Sequence, residues 1–263
     1  TMYRALTVFD LDDTLLNADK QIAPANLAAL TALRANHVLP AIATGRDRFE
    51  IQDVMQTGSF DTIVSANGAD VFARGQQLFE NPIHPTTLQH LRDWTTRHHV
   101  SLALSNHDGI RLNHADDLVA TNYQRIHRPL PPIDAALTTS APISKALVFL
   151  ADHGRGAELE ADLRATFSDL TFYRNSDVCI DIVPAGTTKA SGIQVLQQDA
   201  ELKGVPVYTF GDGHNDVPML KAATVGIAMG NAATDVQAQA DYVTDRFDAN
   251  GIVHALQHFN LIN

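Results

Sequence analysis

The chain has 263 residues, of which 45% are hydrophobic and 19% are charged, and its formal net charge is −11 at pH 7. Such a composition is typical of a globular protein with one large domain or two modest ones, and it excludes a chain that is disordered throughout. The acidic balance argues against a protein that binds nucleic acid by neutralising phosphates, and equally against one that binds membranes through basic residues.

Targeting signals are not evident. No stretch approaches the roughly 18 consecutive apolar residues of a membrane-spanning helix. The apolar start over residues 6–16 is interrupted by Asp10, Asp12 and Asp13, which the core of a signal peptide would not tolerate. Cys179 is the single cysteine, so an intrachain disulfide is excluded and a reducing compartment is expected. These features predict a soluble, cytoplasmic protein that has neither a membrane nor a nucleic-acid partner.

The first third of the chain alternates the patterns of buried strands and helices. A helix is predicted to begin at Pro24, because leucines follow it at helical spacing and proline suits the first helical position. The segment Asp70–Phe79 is typical of a β-hairpin that turns at Arg74 and Gly75. Strands that alternate with helices indicate βαβ units and a parallel sheet. The apolar runs that predict strands cover residues 5–11, 38–43 and 62–66.

A different pattern begins at Asn81-Pro82, an α+β succession of about a hundred residues, which is the size of a domain. The predicted elements are helices over 88–98 and 156–167 and strands near 100–104, 109–113, 146–150, 170–174 and 178–183. The βαβ succession returns after Pro184. Its predicted elements are helices over 190–202, from 215, over 232–240 and over 250–259, and strands over 205–210 and 225–228.

The fold class that follows is α/β: a doubly wound (Rossmann-like) parallel-sheet core with an inserted α+β cap domain. The core is expected to be discontinuous, over residues 1–81 and 185–263, and the cap to cover residues 82–184. The linkers near Pro82 and Pro184 are expected to act as hinges.

Polar residues directly follow the predicted core strands, where ligands bind in a doubly wound sheet. They are Asp10, Asp12, Asp13 and Thr14; Thr44, Gly45 and Arg46; Asn67 and Gly68; and Gly211 to Asp216. The carboxylates of Asp10 and Asp212 suit Mg²⁺, which prefers oxygen ligands. Thr44 and Gly45 offer a hydroxyl and backbone N–H groups to an anion. Lys189 is placed at a helix start, where an ammonium group neutralises phosphate oxygens.

These segments resemble a known family. The ordered segments Asp10–Leu15, Thr44-Gly45-Arg46, Lys189 and Gly211–Asp216 resemble the four motifs of the haloacid dehalogenase superfamily. Further segments resemble the Cof-type phosphatases with a type IIB cap: Asn67-Gly68-Ala69, Gly226–Ala232 and Asn250-Gly251-Ile252. The resemblance covers essentially the whole chain, closely in the core and loosely in the cap. Asp13 stands where this family most often has glycine.

The resemblance implies a Mg²⁺-dependent phosphatase that hydrolyses small phosphorylated metabolites, such as sugar phosphates or phosphorylated cofactors, through an aspartyl-phosphate. Asp10 would attack phosphorus, and Asp12 would protonate the leaving oxygen and then activate water. The expected metal set is Asp10, Asp12 (through its carbonyl), Asp212 and, through a water, Asp216. The expected phosphate-binding set is Leu11, Thr44, Gly45, Arg46, Asn67, Lys189 and Asn215. The cap is expected to close over the site and to select the leaving group.

Three other classes of protein share parts of this pattern. A phosphomutase would keep all four motifs, so the sequence leaves it open as an alternative. A receiver-like phospho-acceptor domain also combines acidic residues, a threonine and a lysine on a doubly wound sheet, but it would be much shorter and would lack Asp12. A dinucleotide-binding enzyme is disfavoured because no Gly-x-Gly-x-x-Gly follows the first strand. The particular substrate and the oligomeric state do not follow from the sequence.

Overall fold

The computed structural model describes residues 3–137 and 141–263, and they form two compact units. Unit 1 runs up to Phe79 and resumes at Thr188, and unit 2 is Glu80–Thr187. The strands, in chain order, are β1 (Ala5–Phe9), β2 (Val38–Ala43), β3 (Thr62–Ser65), β4 (Asp70–Ala73), β5 (Gln76–Glu80), β6 (Leu102–Asn106), β7 (Gly109–Leu112), β8 (Lys145–Phe149), β9 (Leu170–Ser176), β10 (Cys179–Pro184), β11 (Val207–Gly211), β12 (Val225–Ala228) and β13 (Tyr242–Val243). The α-helices are α1 (Pro24–Ala35), α2 (Gln52–Gly58), α3 (Pro85–His98), α4 (Asp117–Arg125), α5 (Gly154–Thr166), α6 (Lys189–Leu196), α7 (Val217–Ala222), α8 (Thr234–Gln237) and α9 (Gly251–His258).

Unit 1 is built on an eight-stranded sheet in the order β13-β12-β11-β1-β2-β3-β4-β5. The strands from β13 to β3 are parallel, and β4 pairs antiparallel with β3. Chain order reverses on either side of β1, which makes its carboxyl end a switch point where ligands bind in sheets of this kind. The predicted doubly wound α/β core is therefore confirmed.

Both faces of this sheet are buried at its central strands. In β1, Ala5 and Phe9 pack in one hydrophobic cluster with residues of α1 and α9, whereas Leu6 and Val8 pack in another with residues of α6 and α7. Alternate residues of a strand point to opposite faces, so the two clusters cover the two sides of the sheet. Burial on both faces explains why the strands read as continuous apolar runs rather than as alternating ones.

Unit 2 is an α+β unit, as its sequence pattern predicts. Its antiparallel sheet has the order β7-β6-β8-β10-β9. Leu91 and Trp94 of α3 and Leu163 of α5 pack in one hydrophobic cluster with alternate strand residues. Val119 and Tyr123 of α4 pack in a second cluster with the residues that alternate with those. No helix in the described part of the chain is both long and apolar enough to cross a bilayer.

Several predicted boundaries in the chain are wrong, among them the following three. The first strand ends at Phe9 rather than at residue 11, because the backbone leaves the sheet and turns over Leu11–Leu15. The helix predicted over 190–202 ends at Leu196, and the chain continues in turns that bury Leu202. The helix predicted over 232–240 contracts to Thr234–Gln237. Helices α2 and α4 were not predicted, although Asp116 caps α4 by accepting from the Val119 amide at 2.9 Å.

Candidate active site

The first candidate loop begins where β1 ends. The Asp10 amide still belongs to the sheet, since it donates to the carbonyl of Phe210 at 2.9 Å. The chain then turns over Leu11–Leu15, with Asp13 in the left-handed region at φ 57°. The Leu11 side chain is buried in the hydrophobic core, so only the backbone of this residue could contact a ligand. The turn leaves Asp10 8% exposed, with its carboxylate at the carboxyl end of the sheet.

Three carboxylates converge at the ends of β1 and β11. One oxygen each of Asp10, Asp212 and Asp216 lies within 4.8 Å of the other two. The backbone holds Asp216, whose Oδ2 accepts from the amides of Asp212 (3.0 Å) and Gly213 (2.9 Å). The Thr14 hydroxyl donates to Oδ1 of Asp212 at 2.9 Å. Acidic residues predicted from two distant segments therefore meet in one cluster.

Lys189 lies fully buried beside these carboxylates. Its Nζ donates to Oδ1 of Asp10 at 2.5 Å and to Oδ1 of Asp216 at 2.6 Å. The lysine is the first residue of α6, which Thr188 caps by accepting from the Ser191 amide at 3.0 Å.

A close backbone contact also holds the start of α6. A Cβ on Gly68, which has φ +105°, would lie only 2.1 Å from the Thr188 carbonyl oxygen. Glycine at this position therefore permits the approach of α6 that carries Lys189 to the carboxylates.

The charges of this cluster do not balance. Burial and then the neighbouring Asp216 raise the pKa of Asp10 well above its ordinary range, and Lys189 offsets this only in part. Burial lowers the pKa of Lys189, but Asp10 and Asp216 raise it by more, so the ammonium stays charged. Three carboxylates then face one buried cation. An all-oxygen donor set with excess negative charge fits a hard divalent cation such as Mg²⁺.

Asp212 makes the stability of the metal-free protein depend on pH. Burial, followed by the charge of Asp216, raises the pKa of Asp212 to about 6 from the ordinary 3.8. A carboxyl whose folded pKa is raised contributes stability below about pH 4, and this contribution is lost as the pH rises through about 6. In chelator, we therefore expect the melting temperature of the wild type to fall as the pH rises from about 4 to about 6. The melting temperature of Asp212→Asn should fall less, because the amide at position 212 does not titrate. Melting curves at closely spaced pH values test this, and parallel profiles for the two proteins would contradict it.

Asp12 and Arg46 form an ion pair. The guanidinium donates to both oxygens of Asp12, at 2.8 Å from Nε and 2.6 Å from Nη2, and Lys20 Nζ lies 2.9 Å from Oδ1. Burial alone would raise the pKa of Asp12, but Arg46 and Lys20 together lower it below the ordinary value. Arg46 was expected to bind phosphate, but in the structure its guanidinium pairs with Asp12, the carboxylate that was expected to act as acid and base. Lys20 was missed, because it belongs to no motif in the sequence.

The loops after β2, β3 and β11 meet through their polar residues. Thr44 anchors two of them, since its hydroxyl accepts from the Arg46 amide at 3.1 Å and its carbonyl accepts from the Asn67 amide at 2.9 Å. The Asn215 side chain donates to Oδ1 of Asn67 at 3.1 Å. Gly45 lies against the same amide group, where a Cβ would be 3.2 Å from Asn67 Nδ2. All the residues predicted for the site belong to unit 1.

A doubly wound core of this kind, with aspartates after its first strand and a buried lysine beside them, defines a haloacid dehalogenase-type hydrolase. Residues 7–256 match the family model described as haloacid dehalogenase-like hydrolase, and the chain belongs to this family.

Similar proteins include phosphatases. The chain is 28% identical over 267 residues to the HMP-PP phosphatase of Yersinia enterocolitica, covering 98% of this chain and 96% of the relative. A solved haloacid dehalogenase subclass IIB sugar phosphatase superposes with a TM-score of 0.86 at 25% identity, covering 98% of this chain and 99% of that one. A protein of Geobacillus kaustophilus HTA426 superposes with a TM-score of 0.90 at 32% identity, covering 98% of this chain and 100% of that one. The protein is a phosphatase of the haloacid dehalogenase type, and the predicted Cof-type, subclass IIB relationship is confirmed.

Proposed function

We propose that this phosphatase is a Mg²⁺-dependent phosphomonoesterase that acts on small phosphorylated metabolites through an aspartyl-phosphate. The observation that carries the proposal is the convergence of Asp10, Asp212 and Asp216 within 4.8 Å beside the buried Lys189. The names of the similar proteins, an HMP-PP phosphatase and a sugar phosphatase, favour phosphorylated cofactors or sugar phosphates as the substrate class.

In the first step, Asp10 attacks phosphorus and forms the covalent intermediate. Its carboxylate lies at the carboxyl end of β1, where Lys189 Nζ contacts it at 2.5 Å. A carboxylate and a phosphate dianion repel each other, so positive charge beside both lowers the barrier. Lys189 supplies part of that charge, and the side chains of Asp10 and Asp212 with the carbonyl of Asp12 would hold the metal. When bound, Mg²⁺ supplies Lewis-acid stabilisation of the phosphoryl oxygens.

In the second step, Asp12 acts as the general base for the water that hydrolyses the intermediate. Its ion pairs with Arg46 and Lys20 favour the ionised carboxylate, which is the form that accepts a proton. The first step needs the opposite form, in which Asp12 gives a proton to the leaving oxygen. Asp12 must therefore loosen its contacts with both cations before the phosphoester bond breaks.

Removal of the metal tests the proposed function. Excess chelator is expected to abolish phosphate release from a panel of phosphorylated metabolites, and added Mg²⁺ to restore it. Asp212→Asn should raise the Mg²⁺ concentration needed for half-maximal activity by about tenfold or more, because it removes a charged ligand. The exposed Asp241→Asn is not expected to change it. Full activity in excess chelator would contradict the proposal.

A further inference from the structure

The proposed function leaves Asn231 without a role, although it lies in a segment that resembles the Cof-type phosphatases. Asn231 follows β12, and its side-chain Nδ2 donates to the backbone carbonyl of Asp13 at 2.9 Å. Its Oδ1 accepts from the amide of Phe247 at 3.1 Å. One side chain thus joins the backbone of the loop after β1 to a segment near the end of the chain.

The carbonyl that Asn231 binds lies at a sensitive point of the loop. Asp13 has φ 57°, a left-handed conformation that residues other than glycine adopt only when the surroundings hold them there. On one side of Asp13 lies Asp12, the proposed acid and base. On the other side lies Thr14, whose hydroxyl donates to Asp212 at 2.9 Å. A peptide that rotated at Asp13 would therefore displace both the proton-transfer group and the contact that orients a carboxylate of the metal cluster.

Asn231 is itself fixed in place by its neighbours. The Gly230 amide donates to the carbonyl of Asp245 at 3.1 Å, and the Ala232 amide donates to that of Met229 at 3.0 Å. A Cβ on Gly230 would lie 2.8 Å from the carbonyl oxygen of Thr244, so the backbone before Asn231 is packed tightly. Because the Phe247 amide occupies Oδ1, the NH₂ group of Asn231 is the end that faces Asp13.

We infer that Asn231 is a positioning residue for phosphoryl transfer, which sets the backbone of the loop after β1 through its bond to the carbonyl of Asp13. The inference rests on the proposed function, since it assigns Asn231 a part in placing Asp12 and Asp212. Asn231 makes no contact with the reacting groups in this assignment, and its effect passes through the turn at Asp13.

Asn231→Asp tests the assignment, because it keeps the shape of the side chain and the acceptor for Phe247 but removes the donor to Asp13. Asn36→Asp is the matched control, since Asn36 Nδ2 also donates to a distant carbonyl, that of Leu261, at 2.9 Å. Neither Asn36 nor Leu261 belongs to the site. Each variant is assayed with 4-nitrophenyl phosphate and with the metabolite that the wild type hydrolyses fastest, and its melting temperature is measured.

For Asn231→Asp we expect kcat to fall by about tenfold to a hundredfold with KM within about twofold, because a displacement of roughly 1 Å in a reacting group costs on that order. The metabolite should lose more than 4-nitrophenyl phosphate, whose leaving group needs no proton from Asp12. Asn36→Asp should keep kcat for both substrates. Asn231→Ala, which removes both bonds without adding a charge, should repeat the loss in kcat.

Three results would overturn the assignment. They are an unchanged kcat in both Asn231 variants, an equal loss in Asn36→Asp, or a failure of both Asn231 variants to fold, which would make the residue part of the fold alone. Asp10→Asn is assayed in the same series so that the two proposals can be told apart. If Asp10→Asn keeps its rate, the proposed function fails, whereas a loss in Asp10→Asn beside an unaffected Asn231→Asp removes only the role of Asn231.

Discussion

Asp10→Asn is expected to lower kcat for every phosphoester by at least ~10³-fold, since the loss of a nucleophile that works with its neighbours removes nearly all of their combined effect. The amide is nearly isosteric with the carboxylate but cannot form the acyl phosphate. In chelator the melting temperature of the variant should equal or exceed that of the wild type. The reason is that the change removes a buried negative charge next to Asp212 and Asp216, while Lys189 keeps its bond to Asp216 at 2.6 Å.

The combination of lost turnover and retained stability separates a chemical role for Asp10 from a structural one. Asp19→Asn, an exposed change in the segment that follows the same loop, is the control and should keep its activity. Steady-state kinetics and melting curves on the three proteins provide the measurement. Near-normal hydrolysis of 4-nitrophenyl phosphate by Asp10→Asn would show that another group attacks phosphorus.

Lys189→Met is expected to be the most destabilising of the changes considered. Lys189 is 0% exposed and pairs with both Asp10 and Asp216, so its removal leaves buried carboxylates without a cation. Breaking a buried ion pair on one side costs about 3–5 kcal/mol in the free energy of unfolding. Activity should be lost as well, because in the proposed mechanism Lys189 supplies positive charge beside the phosphoryl group.

Urea unfolding with and without Mg²⁺ measures both parts of this prediction. Exposed Lys203→Met is the control and should change the free energy of unfolding by no more than about 0.5 kcal/mol. Added Mg²⁺ should recover part of the loss in Lys189→Met, since a divalent cation supplies positive charge to the same carboxylates. An unfolding free energy within about 1 kcal/mol of the wild type in chelator would mean that the carboxylates do not depend on Lys189.

Much of the fold could be predicted because its signals are local. The strand over Val38–Ala43 and the strand over Val225–Ala228 begin and end at the predicted residues, since each is a short apolar run between polar or turn-forming residues. The hairpin turns at Arg74 and Gly75, which both have positive φ, as a tight turn of this kind requires. The convergence of Asp10 and Asp212 was predictable for a geometric reason, because parallel neighbouring strands end at the same edge of a sheet.

What could not be predicted is which polar group each side chain binds. Arg46 follows a strand end and is long enough to reach a phosphate or a carboxylate, and only the fold brings Asp12 within 2.6 Å of it. Asn231 contacts Asp13, which is far from it in sequence, and Lys20 lies outside every motif although it reaches Asp12. No pattern in the sequence around either residue therefore indicates its contact. Helix α6 ends before its apolar pattern does, because Leu202 reaches the core through a turn instead of a continued helix.

The contact between Gly68 and the Thr188 carbonyl has a consequence for how the enzyme can change by mutation. Any side chain at position 68 would meet the backbone oxygen at 2.1 Å and push α6, with its terminal ammonium group, away from the acidic cluster. Position 68 touches no reacting atom, yet it sets the distance between the two halves of a discontinuous core. In a random library this glycine should therefore behave like an active-site residue, and a search for altered substrate range gains nothing from varying it.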